Sequence, residues 1–222
     1  MQVASTSYRA YALDLWGYGD TAHVSVNYPL IQQALLIEHF LNEMGIGKVA
    51  LVGHGLGALV GLQFAVGFPH SVDRVMAISC PLNYDSVNSR LRTAPPSELT
   101  DWLSNRTPEA TAALSDASKT DPQAVPASME ALRAENFFGS FRALNIPTLL
   151  VYGERDQAIT VPSEEISNST MTQQMTLDES GHFPMLDETV KFNRLLTDFL
   201  ALESGASPSE LELKEEWKRR VR

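Results

Sequence analysis

The chain has 222 residues, 44% of them hydrophobic and 20% charged, a balance that supports a buried core and excludes a disordered chain. A net charge of −10 and a single cysteine argue against general nucleic-acid binding, a disulfide framework and a cysteine-based zinc cluster. No apolar run approaches the roughly 18 residues of a membrane span, and the first seven residues lack the basic and apolar regions of a signal peptide, so no membrane partner and a cytoplasmic location are expected.

Short apolar runs alternate with longer helical patterns, which predicts an α/β protein with a mostly parallel sheet flanked by helices. Tyr8–Leu15 reads as a first strand, ending in Asp14-Leu-Trp-Gly-Tyr-Gly-Asp20. Leu30, Ile31, Ala34, Leu35, Ile37, Phe40, Leu41 and Met44 then recur at helical spacing, with Gly45 closing the helix. Lys48–Gly53 reads as a buried strand that turns at Gly53-His-Gly-Leu-Gly57 into a helix over about Leu56–Val66. Gly67 and Pro69 stop that helix, and Gly57 and Gly61 lie on it four residues apart, which suggests a close backbone approach to the sheet. Asp73–Ser79, Pro147–Gly153 and Gln174–Asp178 read as further strands. Phe183–Leu202 reads as a helix with Leu186, Val190, Phe192, Leu195, Leu196 and Phe199 on its apolar side.

An insert over about Pro81–Ala143 carries Pro95-Pro96, many Ser and Thr, and short amphipathic pieces, the pattern of a small helical cap. Trp102, Met129, Phe137, Phe138 and Phe141 are its candidates for lining a pocket, against the plainer reading that they hold the cap together. The expected division is therefore 1–80 with 144–203 as the core, 81–143 as the cap and 204–222 as a tail. In the tail, Ser204-Gly-Ala-Ser-Pro208 is a linker and Ser207-Pro-Ser-Glu210 a capping box. A helix follows on the tail, with Leu213, Trp217 and Val221 as a narrow apolar stripe and Glu210/Lys214, Glu215/Arg219 and Glu216/Arg220 as i,i+4 pairs. So short a helix is marginal alone and should dock, on its own domain or on a partner chain.

Four segments in this order resemble the α/β-hydrolase superfamily over about Ser7–Leu202. Asp14-Leu-Trp-Gly-Tyr-Gly-Asp20 resembles its D-x-x-G-x-G segment, and Leu51-Val-Gly-His-Gly-Leu-Gly57 its nucleophile elbow. Val151-Tyr-Gly-Glu-Arg-Asp156 resembles its acid-bearing strand end, and Ser180-Gly-His-Phe-Pro184 its histidine loop. The resemblance implies His182 and Asp156 as a catalytic dyad and Leu56 as one oxyanion-hole N–H, with no cofactor. Trp102 and Phe138 of the cap and Trp16, in the loop after the first strand, are the candidate substrate contacts, with packing an equal reading for Trp16; no metal site is expected.

Two departures matter. The elbow centre, where the family places a serine, aspartate or cysteine, is Gly55, so nothing there attacks a carbonyl. Glycine also removes the cost of about 1–3 kcal/mol for holding another residue in a strained backbone conformation. In the resembled family a strand ending in a His-Gly loop precedes the segment that opens this chain and supplies the other oxyanion N–H. An N-terminally shortened fold is therefore expected, with Tyr8–Leu15 and Lys48–Gly53 left a strand's width apart or shifted into direct pairing.

Other candidates carry plainer readings. Cys80 and Ser79 are alternatives for a displaced nucleophile, although a lone cysteine at a strand end is usually a small buried hydrophobe. His54 reads as packing, Asp14 and Asp20 as turn chemistry, and Glu154 as solvated. His23, His39 and His70 have no ligand-like spacing. The functional expectation is hydrolysis of a small, largely apolar ester-like molecule, held under the cap, by a water that the dyad activates. The alternatives are a catalytically silent ligand-binding protein on the same scaffold, or a shortened non-functional fragment.

Overall fold

The computed structural model describes residues 2–103, 117–134, 137–143, 145–164 and 169–211. Short helix α1 (Gln2–Ser5) leads into an irregular stretch, then α2 (Leu30–Glu43), β1 (Val49–His54), α3 (Leu56–Gly67) and β2 (Val72–Ile78). The insert after β2 holds α4 (Ser89–Thr93), α5 (Pro96–Leu103), α6 (Ala124–Met129), α7 (Ala131–Ala134) and α8 (Phe137–Arg142). The chain then re-enters the sheet as β3 (Thr148–Gly153) and β4 (Thr172–Leu177) and ends in α9 (Pro184–Asp187) and α10 (Thr189–Ala201). The predicted tail helix lies outside the described residues, apart from its start. There Ser207 accepts the Ser209 N–H at 3.2 Å and Pro208 opens a single helical turn.

The sheet is four-stranded and parallel, in the order β1-β2-β3-β4. The two central strands, β2 and β3, are buried on both faces almost throughout, whereas β1 at the edge alternates partly buried and exposed residues. Alternate residues serve opposite faces: Val75 and Ala77 of β2 with Leu150 and Tyr152 of β3 join the core under α2, α3 and the insert. Met76, Ile78, Leu149 and Val151 join a second core with Phe192, Leu195, Leu196 and Phe199 of α10.

Tyr8–Leu15 forms no strand. A strand is stable only when its backbone pairs, and among the described residues no ladder runs along this segment or along the outer edge of β1. Tyr8, Tyr11 and Leu13 are accordingly exposed, and so is Val52 on β1. Tyr11 finds its contact on Phe40 of α2 instead, edge to face at 5.2 Å.

Three helix readings change. On α2, Leu30, Ala34 and Leu41 are buried but Ile31, Leu35 and Met44 are exposed, so the apolar stripe is wider than the core it meets. The single helix expected over Phe183–Leu202 breaks at Glu188 (φ −125°, ψ 53°), and Val190 is 84% exposed. Glu188 turns its carboxylate back to take the Glu179 N–H at 3.0 Å and the Ser180 hydroxyl at 2.9 Å, which an unbroken helix would not allow. On α3, a Cβ at Gly61 would make only ordinary contact with Leu51 at 3.8 Å, and one at Gly57 would meet nothing within 4 Å. The α3 backbone does approach the sheet closely at Gly57, but the glycine that permits it is Gly53 on β1, where a Cβ would strike the Gly57 carbonyl oxygen. A second close approach falls at Gly153, the last residue of β3, where a Cβ would strike the carbonyls of Ser180 and Gly181.

Candidate active site

Gly55 sits between β1 and α3 with φ +53° and ψ −115°, a conformation that favours glycine. Backbone bonds hold it there. Its N–H donates to Ile78 O at 2.8 Å, and its carbonyl accepts the Leu59 N–H at 3.2 Å. A Cβ built on Gly55 would lie 3.9 Å from His182 Nε2 and, its chain neighbours aside, near no other described atom within 4 Å. Leu56 is the first residue of α3, a position whose N–H has no partner within the helix.

The acid and the histidine follow β3 and β4, two and three strands along the sheet from β1. Asp156 follows β3 and has a fully buried side chain. Its Oδ1 accepts the N–H groups of Ala158 at 2.8 Å and Ile159 at 3.2 Å, and its Oδ2 lies 2.9 Å from His182 Nδ1. Burial alone would raise its pKa. The hydrogen bond and charge of His182 and the two backbone N–H groups outweigh burial and hold the carboxyl below its usual range. An ionised Asp156 only accepts, so Nδ1 carries a proton, and Nε2 is the ring nitrogen that faces Gly55.

His182 lies in a loop fixed at both ends. Asp187 accepts the Gly181 N–H at 2.8 Å, and Glu188 holds Glu179 and Ser180 as described. The His182 carbonyl accepts His54 Nε2–H at 2.7 Å and the Ser79 hydroxyl at 3.0 Å. His54 packs edge to face on the His182 ring at 4.7 Å and stacks on Phe183 at 5.0 Å. Burial and then the nearby His182 ring push His54 down to about 3, so it is neutral and serves as a donor.

Sequence reading did not find the roles of His54, Ser79, Asp187 and Glu188 in holding this loop. Only the Asp187-Glu188 pair so soon after Phe183-Pro184 gave a signal, an acidic pair one turn from the predicted histidine loop. Ser79 is not a displaced nucleophile, because its hydroxyl is committed to the His182 carbonyl and not to the imidazole. It is the one non-glycine residue with positive φ (+45°) among those described. Cys80 is fully buried, burial pushes its thiol pKa up, and its Sγ meets the Pro81 carbonyl at 3.8 Å. It is a core residue.

The expected substrate contacts fare unevenly. Trp16 is half-buried, its backbone clamped by two hydrogen bonds (2.8 and 2.9 Å) to the buried Gln33 amide. Trp102 donates Nε1–H to Gln157 Oε1 at 3.3 Å, beside the acid, under the Arg90 guanidinium. The side chain of Phe138 lies outside the described residues. Met129 and Phe141 are buried in the main core, so they hold the insert down. Asp14 accepts the Asp20 N–H at 3.1 Å within its turn, and Asp20 pairs with Lys119 at 3.1 Å. His23 meets the Lys119 carbonyl at 3.0 Å, and His39, His70 and Glu154 are exposed. Two adjoining clefts, of about 390 and 260 Å³, open between the Asp85–Asn88 and Glu154–Pro162 segments, and Asp156 lines the larger.

A parallel sheet with a strand–turn–helix elbow, a carboxylate after one later strand and a histidine after the next defines an α/β-hydrolase scaffold. The chain belongs to the alpha/beta hydrolase family, whose model matches residues 2–195. The Shigella flexneri protein named "Putative carbamate hydrolase RutD" is 27% identical over 90% of this chain and 84% of its own length. An esterase structure from Exiguobacterium antarcticum superposes with a TM-score of 0.76 at 18% identity, covering 90% of this chain and 84% of the esterase. An N-acyl homoserine lactonase, AidH, solved as a serine-to-glycine mutant complexed with N-hexanoyl homoserine lactone, superposes at 0.69 and 17% identity, covering 90% and 80%. The likeness to these two structures is one of fold. No helix among the described residues is long and apolar enough to cross a membrane.

Proposed function

We propose that the chain hydrolyses small, largely apolar, ester-like molecules by activating water. The observation that carries this reading is the His182–Asp156 pair at 2.9 Å with Nε2 turned toward an elbow that has no side chain. Asp156 fixes the tautomer and stabilises the imidazolium that forms. Nε2 takes a proton from water, the water oxygen adds to the carbonyl carbon, and the Leu56 N–H lies at the elbow to receive the oxyanion. Collapse expels the alkoxide, which takes the proton back from Nε2–H, leaving an acid and an alcohol. His182→Ala should abolish turnover of p-nitrophenyl esters of short acyl chains. Equal rates for the variant and the wild type would overturn the reading.

One observation favours a second reading, a silent ligand-holding protein. Gly55 removes the nucleophile, and the similar lactonase is seen holding its lactone as a serine-to-glycine mutant. A ligand-dependent rise in melting temperature without turnover supports this reading. Covalent labelling by a serine-directed phosphonate rejects it.

A further inference from the structure

We propose that Ser79 is a positioning residue for His182. Its strained backbone at the end of β2 aims a hydroxyl that fixes where Nε2 stands relative to the elbow, and the fold gives up stability to keep it there. This deepens the reading of His182 as a general base, on which only the kinetic consequence rests.

Ser79 is an outlier that stability does not explain. Its φ of +45° is a backbone that glycine adopts freely and other residues adopt at a cost in free energy. The chain is pinned there by its neighbours. Ile78 O accepts the Gly55 N–H, the Ser79 N–H donates to Val151 O, and Cys80 O accepts the Tyr152 hydroxyl, each at 2.8 Å. None of these bonds uses the side chain of residue 79, so glycine would serve the backbone with less strain. Nor is the hydroxyl needed to satisfy a buried acceptor. The His182 carbonyl already takes His54 Nε2–H at 2.7 Å, and one partner keeps a buried carbonyl from being orphaned. Strain that the surrounding bonds impose and that stability does not require points to function.

What the second bond adds is position. A carbonyl held by one donor keeps its distance from that donor and can still swing about it. His54 ends β1 and Ser79 follows β2, its parallel neighbour. The two donors therefore grip the His182 carbonyl from two fixed points, at 2.7 and 3.0 Å. Ser79 is fully buried, and the elbow hangs from the residue just before it, through the Gly55 N–H on Ile78 O. Histidine and elbow are thus referred to one strand end. Asp156 sets the tautomer at the other ring nitrogen, Nδ1, from the end of β3. The stance of Nε2, 3.9 Å from where a Cβ of residue 55 would be, falls to the His182 backbone and so to its two donors.

The test compares the wild type with Ser79→Ala, which removes the hydroxyl and keeps the strain, and Ser79→Gly, which removes both. Urea unfolding reads stability. Proton NMR reads the nuclear Overhauser effect between a Gly55 Hα and the His182 ring protons that flank Nε2, and the downfield Nδ1–H resonance. Hydrolysis of p-nitrophenyl acetate gives kcat and KM. Ser79→Gly should unfold at a higher urea concentration than Ser79→Ala and no lower than the wild type. In both variants the Overhauser effect should weaken or vanish while the Nδ1–H resonance persists. In both, kcat should fall about tenfold or more with KM within about twofold. An Overhauser effect and kcat at the wild-type level in both variants overturn the proposal. So does a Ser79→Gly variant that is less stable than the wild type or fails to fold, because the hydroxyl is then a structural bond. Loss of the Nδ1–H resonance overturns it as well, since Ser79 would then hold the dyad together instead of aiming it. A wild type without His182-dependent turnover overturns water activation, and the urea and NMR readouts still decide for or against Ser79.

Discussion

The elbow and the histidine loop meet at one atom, His182 Nε2, and they are held in opposite ways. Side chains hold the histidine loop: Asp156, Asp187 and Glu188 accept from it, and His54 and Ser79 donate to its carbonyl. The elbow is held by backbone alone, through Ile78 O and the first turn of α3. The geometry of the elbow therefore does not depend on the side chain at its centre, whereas the dyad depends on many. A change at residue 55 removes no contact that holds the loop, whereas loss of Glu188 or Ser79 does.

The largest effect that tests this contrast is a gain. Gly55→Ser places a hydroxyl on a backbone already turned toward the imidazole. Turnover of p-nitrophenyl esters should rise by about 10²-fold or more, since an activated nucleophile splits one hard step into two easier ones. Mass spectrometry should show a phosphonate adduct on residue 55 that the wild type lacks. An unchanged rate with no adduct would mean that the elbow backbone is not poised, and the contrast would break there.

The same contrast explains what was legible in the sequence. The turn at Gly55 and the meeting of Asp156 with His182 were legible because each residue sits on a local signal: a glycine-rich turn after an apolar run, or a short motif at a strand end. The central strands β2 and β3 were readable because burial on both faces makes them largely apolar runs. Tyr8–Leu15 was misread because its propensity is that of a strand while pairing is a property of neighbours. The break at Glu188 and the roles of Ser79 and His54 were hidden for a similar reason. Their partners lie 8, 103 and 128 positions away, and only the fold brings them together.

Acid should act through the side-chain-held half. His54 is neutral in the fold, pushed down to about 3, whereas an unfolded chain takes up a proton near 6.5. The unfolded state therefore binds more protons between those values. Stability is full above about 6.5 and falls as pH drops, with a slope of up to about 1.4 kcal/mol per pH unit. The lowered Asp156 adds a further loss only below the ordinary carboxylate range. His54→Asn keeps an N–H donor for the His182 carbonyl and removes the titration. Urea unfolding from pH 7 to 4 should show the wild type losing stability through this window and the variant losing much less, until the carboxylates of the unfolded chain begin to take up protons. Parallel curves would remove His54 from the account.

The smallest effect isolates the elbow backbone. At Gly55→Ala the new methyl group has room, because its nearest described contact outside its chain neighbours is Nε2 at 3.9 Å. Any cost must then come from conformation, a non-glycine residue at φ +53° and ψ −115°. Unfolding free energy should fall by about 1–3 kcal/mol with an unchanged urea m-value. The downfield proton resonance of the His182 Nδ1–H bond to Asp156 should persist, since no side chain that holds the loop has been touched. Loss of that resonance would show the two halves to be coupled through more than Nε2. A loss well above about 3 kcal/mol would show that the space beside Gly55 does not admit a methyl group.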